Sequence, residues 1–110
     1  MSRKFNETDI KIFNKLAPEL NGNIISNMGH QYLFILRPIS HKIAESAEDF
    51  RRRIDILTDD ELEYLLGLAL IGKEDIRSLE EDDIDSFIDV IAERLSIDKS
   101  RELKLYLGIV

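Results

Sequence analysis

Cysteine is absent from the 110 residues, which removes disulfides, thiolate nucleophiles, zinc fingers and iron–sulfur ligation in one step. Long apolar runs are absent as well. The longest apolar run, Leu65 to Ile71, covers seven residues before Gly72 and Lys73, against the roughly 20 that a membrane-spanning helix needs. The opening Met-Ser-Arg-Lys-Phe-Asn-Glu-Thr has no apolar segment behind its basic pair, so no secretory signal is read and a cytoplasmic setting is expected. Glycine is sparse. Its five positions (22, 29, 67, 72 and 108) form neither Gly-x-x-x-x-Gly-Lys nor Gly-x-Gly-x-x-Gly, and nucleotide binding of a familiar kind is not expected. The two imidazoles, His30 and His41, have no acid or serine at a spacing that specifies a triad or a metal site. Ser40, next to His41, would point about 100° away from it on a helix. No catalytic residue, cofactor or metal ligand is therefore expected, and the sequence leans away from an enzyme.

What is present is an ordinary globular composition, 44% hydrophobic and 34% charged, read as one domain over residues 1–110. The charge is lopsided. Residues 1–57 carry nine Lys/Arg and seven Asp/Glu, whereas residues 58–110 carry six and fifteen, giving +2 and −9 within a net charge of −7. An acidic protein repels a nucleic-acid backbone unless its cations gather on one face, so any such role belongs to the first half.

Apolar spacing and capping residues predict most elements. Ile12, Phe13, Leu16 and Leu20 form one stripe of a helix capped by Asn6 or Thr8 and stopped by Pro18. Residues 23–27 and 31–37 are two β-prone stretches around Met28-Gly29-His30, expected as a hairpin that ends at Pro38. The apolar run Tyr32 to Leu36 predicts that the second strand is covered on both faces. Ile43, Ala47, Phe50, Ile54 and Leu57 return to helical spacing, with a start near Ser40 or Ser46. Thr58-Asp59-Asp60-Glu61 is a capping box, opening a helix that runs to a left-handed stop at Gly72 and is apolar all round in its last two turns. Ser78-Leu79-Glu80-Glu81 reads as a second box, before a helix with Ile84, Phe87, Ile88, Ile91 and Leu95 on one face. Residues 98–110 fit either a helix capped by Asp98, the favoured reading, or a strand that joins the hairpin. The expected fold class is α+β, predominantly helical, with four to five helices packed around one β-hairpin and a possible third strand at the C-terminus. A faint self-similarity at an offset of 41 relates residues 61–68 to 102–109, and Arg53 and Ile56 to Arg94 and Ile97, as two helix-turn-helix units would.

Two charge clusters are candidate surfaces. Arg37, Lys42, Arg51, Arg52 and Arg53 could contact an anion or nucleic acid, although Glu48 and Asp49 precede Arg52 and Arg53 by the four residues that favour internal helical pairing. Glu80, Glu81, Asp82, Asp83 and Asp85 could dock a basic partner, although acids also suit the first turn of a helix and lack an EF-hand pattern here. Tyr32 and Phe34 are better explained as core than as base-stacking rings. The function expected is a small non-enzymatic protein-interaction module with an unknown partner or a second copy of itself. The alternative is a nucleic-acid or nucleoprotein accessory factor that uses the basic cluster at 37–53.

Overall fold

The structure is a computed structural model in which residues 6–20 and 35–109 are described. Asn6 opens α1 (Glu7–Leu16) with a reciprocal cap: its side chain accepts from the Asp9 amide at 2.9 Å, and the Asp9 carboxylate accepts from the Asn6 amide at 2.8 Å. Pro18 starts a short 3₁₀ turn (Pro18–Leu20). After the undescribed segment come α2 (Leu36–Pro38) and a π-helical turn (Ile39–Ile43) closed by the Ala44 amide on the Ile39 carbonyl at 2.8 Å. Then follow α3 (Ala47–Asp55), α4 (Asp59–Ile71), α5 (Lys73–Arg77), α6 (Glu81–Arg94) and α7 (Ile97–Leu107).

The expected hairpin is corrected. Its positions 23–34 lie outside the described residues, but the end of the proposed second strand is helical, with Ile35 at φ −50° and ψ −39° and Leu36 and Arg37 in α2. No strand occurs among the described residues, and the C-terminal stretch is helix rather than a third strand, so the described fold is all-helical and not α+β. Ile35, Leu36 and Ile39 explain the reversal: all three are fully buried at i, i+1 and i+4, the spacing of one helical face. Burial of such side chains is worth roughly 1.5–3 kcal/mol each, more than the β preference of isoleucine. Pro38 fits because, in the first turn, its missing N–H has no partner to lose.

The core gathers Phe13, Phe50 and Phe87 with Ile12, Leu16, Ile54, Leu65, Ile91 and Leu103, all inaccessible to solvent. Two pairs of neighbouring helices frame it, first α3 with α6 and second α4 with α7, each pair running in the same sense. Arg51 of α3 pairs with Asp89 and Glu93 of α6, and one turn later Asp55 meets Arg94. Along the second helices, Lys99 lies 3.5 Å from Glu63 at the start, and the Lys73 ammonium lies 5.7 Å from the Tyr106 ring centre at the far end. The caps Thr58 and Ser96 stand 38 residues apart, and Leu62, Leu65 and Ala69 match Ser100, Leu103 and Leu107 at that spacing, all of them buried. The offset of 41 therefore aligns positions about one helical turn out of step, which apolar periodicity allows without structural equivalence.

Three local expectations change for physical reasons. Gly72 ends α4 at φ −128°, not in the left-handed region; a Cβ there would lie 3.3 Å from the Leu68 carbonyl oxygen and would displace the Asp75 carboxylate, so close approach rather than backbone sign is what bears on this glycine. The left-handed glycine is Gly108, φ +77°, at the end of α7. Ser96, not Asp98, caps α7 by accepting from the Lys99 amide at 3.1 Å.

Candidate functional site

The basic cluster is drawn into internal pairs. Arg53, only 8% exposed, donates to the Leu16 carbonyl at 2.7 Å, to both oxygens of Glu19 at 3.1 and 2.7 Å, and to Asp49 at 3.1 Å. It clamps the end of α1 to α3. The guanidinium holds Glu19 below the usual carboxylate range, while the Glu45 amide first, and then Arg53 and Arg52, bring Asp49 down to about 2. These partners hold the Arg53 proton more tightly still. Arg52 pairs with Asp49, and Arg51 reaches Asp89 and Glu93. Arg37 and Lys42 are exposed beside the π turn and show no ion pair among the described residues.

The acidic cluster divides in two. Glu81, Asp82 and Asp85 are exposed on α6, but Asp83 is buried at 4% exposure and accepts from the Ser40 hydroxyl at 2.6 Å. Ser40 in turn accepts from the Glu80 amide at 3.0 Å. This is a cap delivered from another element. The hydroxyl sits between the first amide of α6 and the carboxylate that would otherwise reach back to it. Ser78 does not cap α6 as expected; its hydroxyl turns to the Asp75 carbonyl at 2.6 Å at the end of α5. Desolvation pushes Asp83 above the ordinary aspartate value, and the charges of Glu80 and Asp82 add to the rise. His41, the next residue, places Nδ1 3.2 Å from Glu80 Oε1 and Nε2 against the Ser78 carbonyl. Ser40 and His41 thus lock the π turn to the junction of α5 and α6. Sequence spacing could not show this, because the partners lie some 40 residues apart.

A third cluster forms where α4 meets α1. Glu61 accepts from Lys15 at 2.8 Å and from the Thr58 amide at 2.9 Å through Oε1, whereas the buried Oε2 has no hydrogen-bond partner. Burial opposes ionisation of Glu61, yet the Lys15 ammonium and the Thr58 cap outweigh it and leave its pKa lowered. Nearby, the Tyr64 hydroxyl donates to the buried Asp9 at 2.9 Å.

Apolar surface remains at both ends of the paired helices. The all-round apolar turns of α4 resolve into buried Leu65, Leu66 and Ala69 and an outward Ile71, 77% exposed. Leu105 on the neighbouring α7 is 72% exposed, and Ile109, just past the end of that helix, is exposed as well. At the opposite end, Ile56 and Ile97 flank the two interhelical corners that Arg94 ties together through the Asp55 and Leu57 carbonyls, each at 2.9 Å. Helical periodicity flagged α4 as unusually apolar, but the outward direction of Leu105 was hidden in the alternation of Leu103, Leu105 and Leu107.

Among the described residues, no three His, Asp or Glu side chains are arranged to hold a metal ion, and no helix is long and apolar enough to cross a membrane. His30, Tyr32 and Phe34 lie outside the described residues. No family model matches the chain, and no curated protein or solved structure is significantly similar to it.

Proposed function

We propose that this chain is a protein-interaction module of the cytoplasm, which offers the apolar end formed by α4 and α7 to another polypeptide. The observation that carries the reading is the pair Ile71 and Leu105, the two most exposed large aliphatic side chains among the described residues, on neighbouring helices. Lys73 lies over the Tyr106 ring at this end, and an occupant with apolar side chains fits the exposed Ile71 and Leu105. The pairing of Arg51, Arg52 and Arg53 with acids favours this reading over nucleic-acid binding, since few cations stay available for phosphates.

The test compares the parent with an Ile71→Asp/Leu105→Asp double variant whose helical content by circular dichroism is unchanged. Sedimentation velocity across a wide concentration range detects a second copy, and capture from a lysate with identified eluates detects a different protein. Association of either kind that the double variant loses supports the proposal. A parent that remains monomeric and captures no defined protein, or a variant that binds as well as the parent, overturns it.

A further inference from the structure

We infer that Ser40 and His41 form a proton-sensitive clasp that holds the π-helical turn against the start of α6, tighter in mild acid than in mild base. The inference is independent of the interaction surface proposed above. Its basis is geometric: both ring nitrogens of His41 face oxygen acceptors, Nδ1 the Glu80 carboxylate at 3.2 Å and Nε2 the Ser78 carbonyl. A neutral imidazole has one N–H and one lone pair, so it can donate to only one of them. The doubly protonated ring donates to both, and the Glu80 contact then becomes a charge-assisted hydrogen bond. Imidazole is the side chain whose charge normally changes between pH 5 and 8.

The groups facing the ring from the packed junction are Glu80, the Ser78 carbonyl and, behind them, Asp83, while Lys42 is the neighbouring cation on the turn itself. Asp83, joined to Ser40 in the second half of the clasp, resists ionisation because it is buried beside Glu80 and Asp82. Protonation of His41 adds a donor, and protonation of Asp83 relieves a desolvated charge. The added donor strengthens the clasp through the ring as the pH falls, whereas the Ser40 hydroxyl bonds better to the ionised Asp83 carboxylate. The sign follows from the donor count: the doubly protonated ring serves both acceptors and the neutral ring only one. The clasp biases the turn and does not by itself hold it, because Ile35, Leu36 and Ile39 are fully buried beneath.

The experiment measures amide hydrogen exchange of residues 39–44 and 80–83 in the intact chain at pH 5.5 and 8.0, corrected for intrinsic exchange, with ¹⁵N spectra of the His41 ring. The parent is expected to lose about fivefold in protection at these amides on going to pH 8.0, the scale of one hydrogen bond to a charged group at a partly exposed site. His41→Gln, which keeps a donor but cannot titrate, is expected to abolish most of the pH dependence. Glu80→Gln separates the carboxylate contact from the carbonyl contact and is expected to reduce the dependence without removing it. Protection in the parent that does not change with pH, or a dependence that His41→Gln leaves intact, overturns the inference.

Discussion

Replacing Arg53 by methionine tests how much of the fold hangs on one buried cation. Methionine preserves the stem and its packing while deleting the guanidinium, whose donors reach the Leu16 carbonyl, Asp49 and both oxygens of Glu19. Hydrogen bonds to a charged group are worth about 1.5–3 kcal/mol each when shielded from water. The Glu19 side chain is half exposed, so its share falls to the value of a surface pair, below about 1 kcal/mol. Asp49 keeps the Glu45 amide at 3.1 Å and Arg52, which leaves the Leu16 carbonyl as the main group stripped of its donor. The expected cost is therefore about 2–4 kcal/mol, out of a total stability of about 5–15 kcal/mol. Urea unfolding followed by circular dichroism at pH 7 reads it directly, with Glu19→Gln as the companion expected to cost under about 1 kcal/mol. A pH series supplies the second check. Glu19 and Asp49 have folded pKa values below their unfolded ones, Asp49 at about 2, so the stability they contribute is complete above the ordinary carboxylate range and is lost as pH falls toward about 2. The gap between parent and Arg53→Met should narrow over that window. A loss below about 1 kcal/mol at pH 7, or a gap that stays constant down to pH 2.5, would refute the clamp as described.

Five further substitutions probe the caps, the buried Asp83 and two glycines. Thr58→Ala removes the hydroxyl that accepts from the Glu61 amide at 3.1 Å and should cost about 1 kcal/mol in thermal or urea unfolding, because one first-turn amide of α4 loses its acceptor. Ser40→Ala should cost about 1–3 kcal/mol, since it strips both the Glu80 amide and the buried Asp83 of their partner. Asp83→Asn should cost less than Ser40→Ala at pH 7, because an amide oxygen still accepts from Ser40 and no desolvated charge remains. With its folded pKa raised, Asp83 detracts from stability above that value and ceases to do so below it, so Asp83→Asn should also flatten the stability profile between pH 4 and neutrality. Gly108→Ala, at φ +77°, should lower stability by about 1 kcal/mol through backbone strain, whereas replacing the exposed helical Gly67, which has open space around it, by alanine should raise it by roughly 0.5–1 kcal/mol.

Much of the helical framework is legible in local chemistry. Asn6, Ser46 and Thr58 each accept from the amide three residues ahead, and such short-range caps depend on little beyond the adjacent sequence. The stripes of α1, α3 and α6 are legible for a similar reason: Phe13, Phe50 and Phe87 repeat with their aliphatic neighbours at helical spacing, and all are buried. The pairing of Asp49 with Arg53 follows from the four-residue spacing alone. Residues 35–38 misled because Ile35 favours strands and Pro38 biases the residue before it toward extended backbone, preferences that burial of one helical face outweighed.

Tertiary contact decided everything that makes a surface. Asp83 and Asp85 look alike in sequence, yet Ser40 draws the first into the interior and leaves the second in water. Arg53 was one cation among several until the end of α1 closed over it. Ile71 and Leu105 became outward-facing only when α4 and α7 came to lie side by side and spent their other apolar faces on the core. The sequence alone determined where helices begin and which side chains seek burial, because capping and periodicity act within a turn or two. Which charges are sheltered, which meet an imidazole and which apolar residues are left over depended on groups 30 to 60 positions apart, and only the packed chain brings those together.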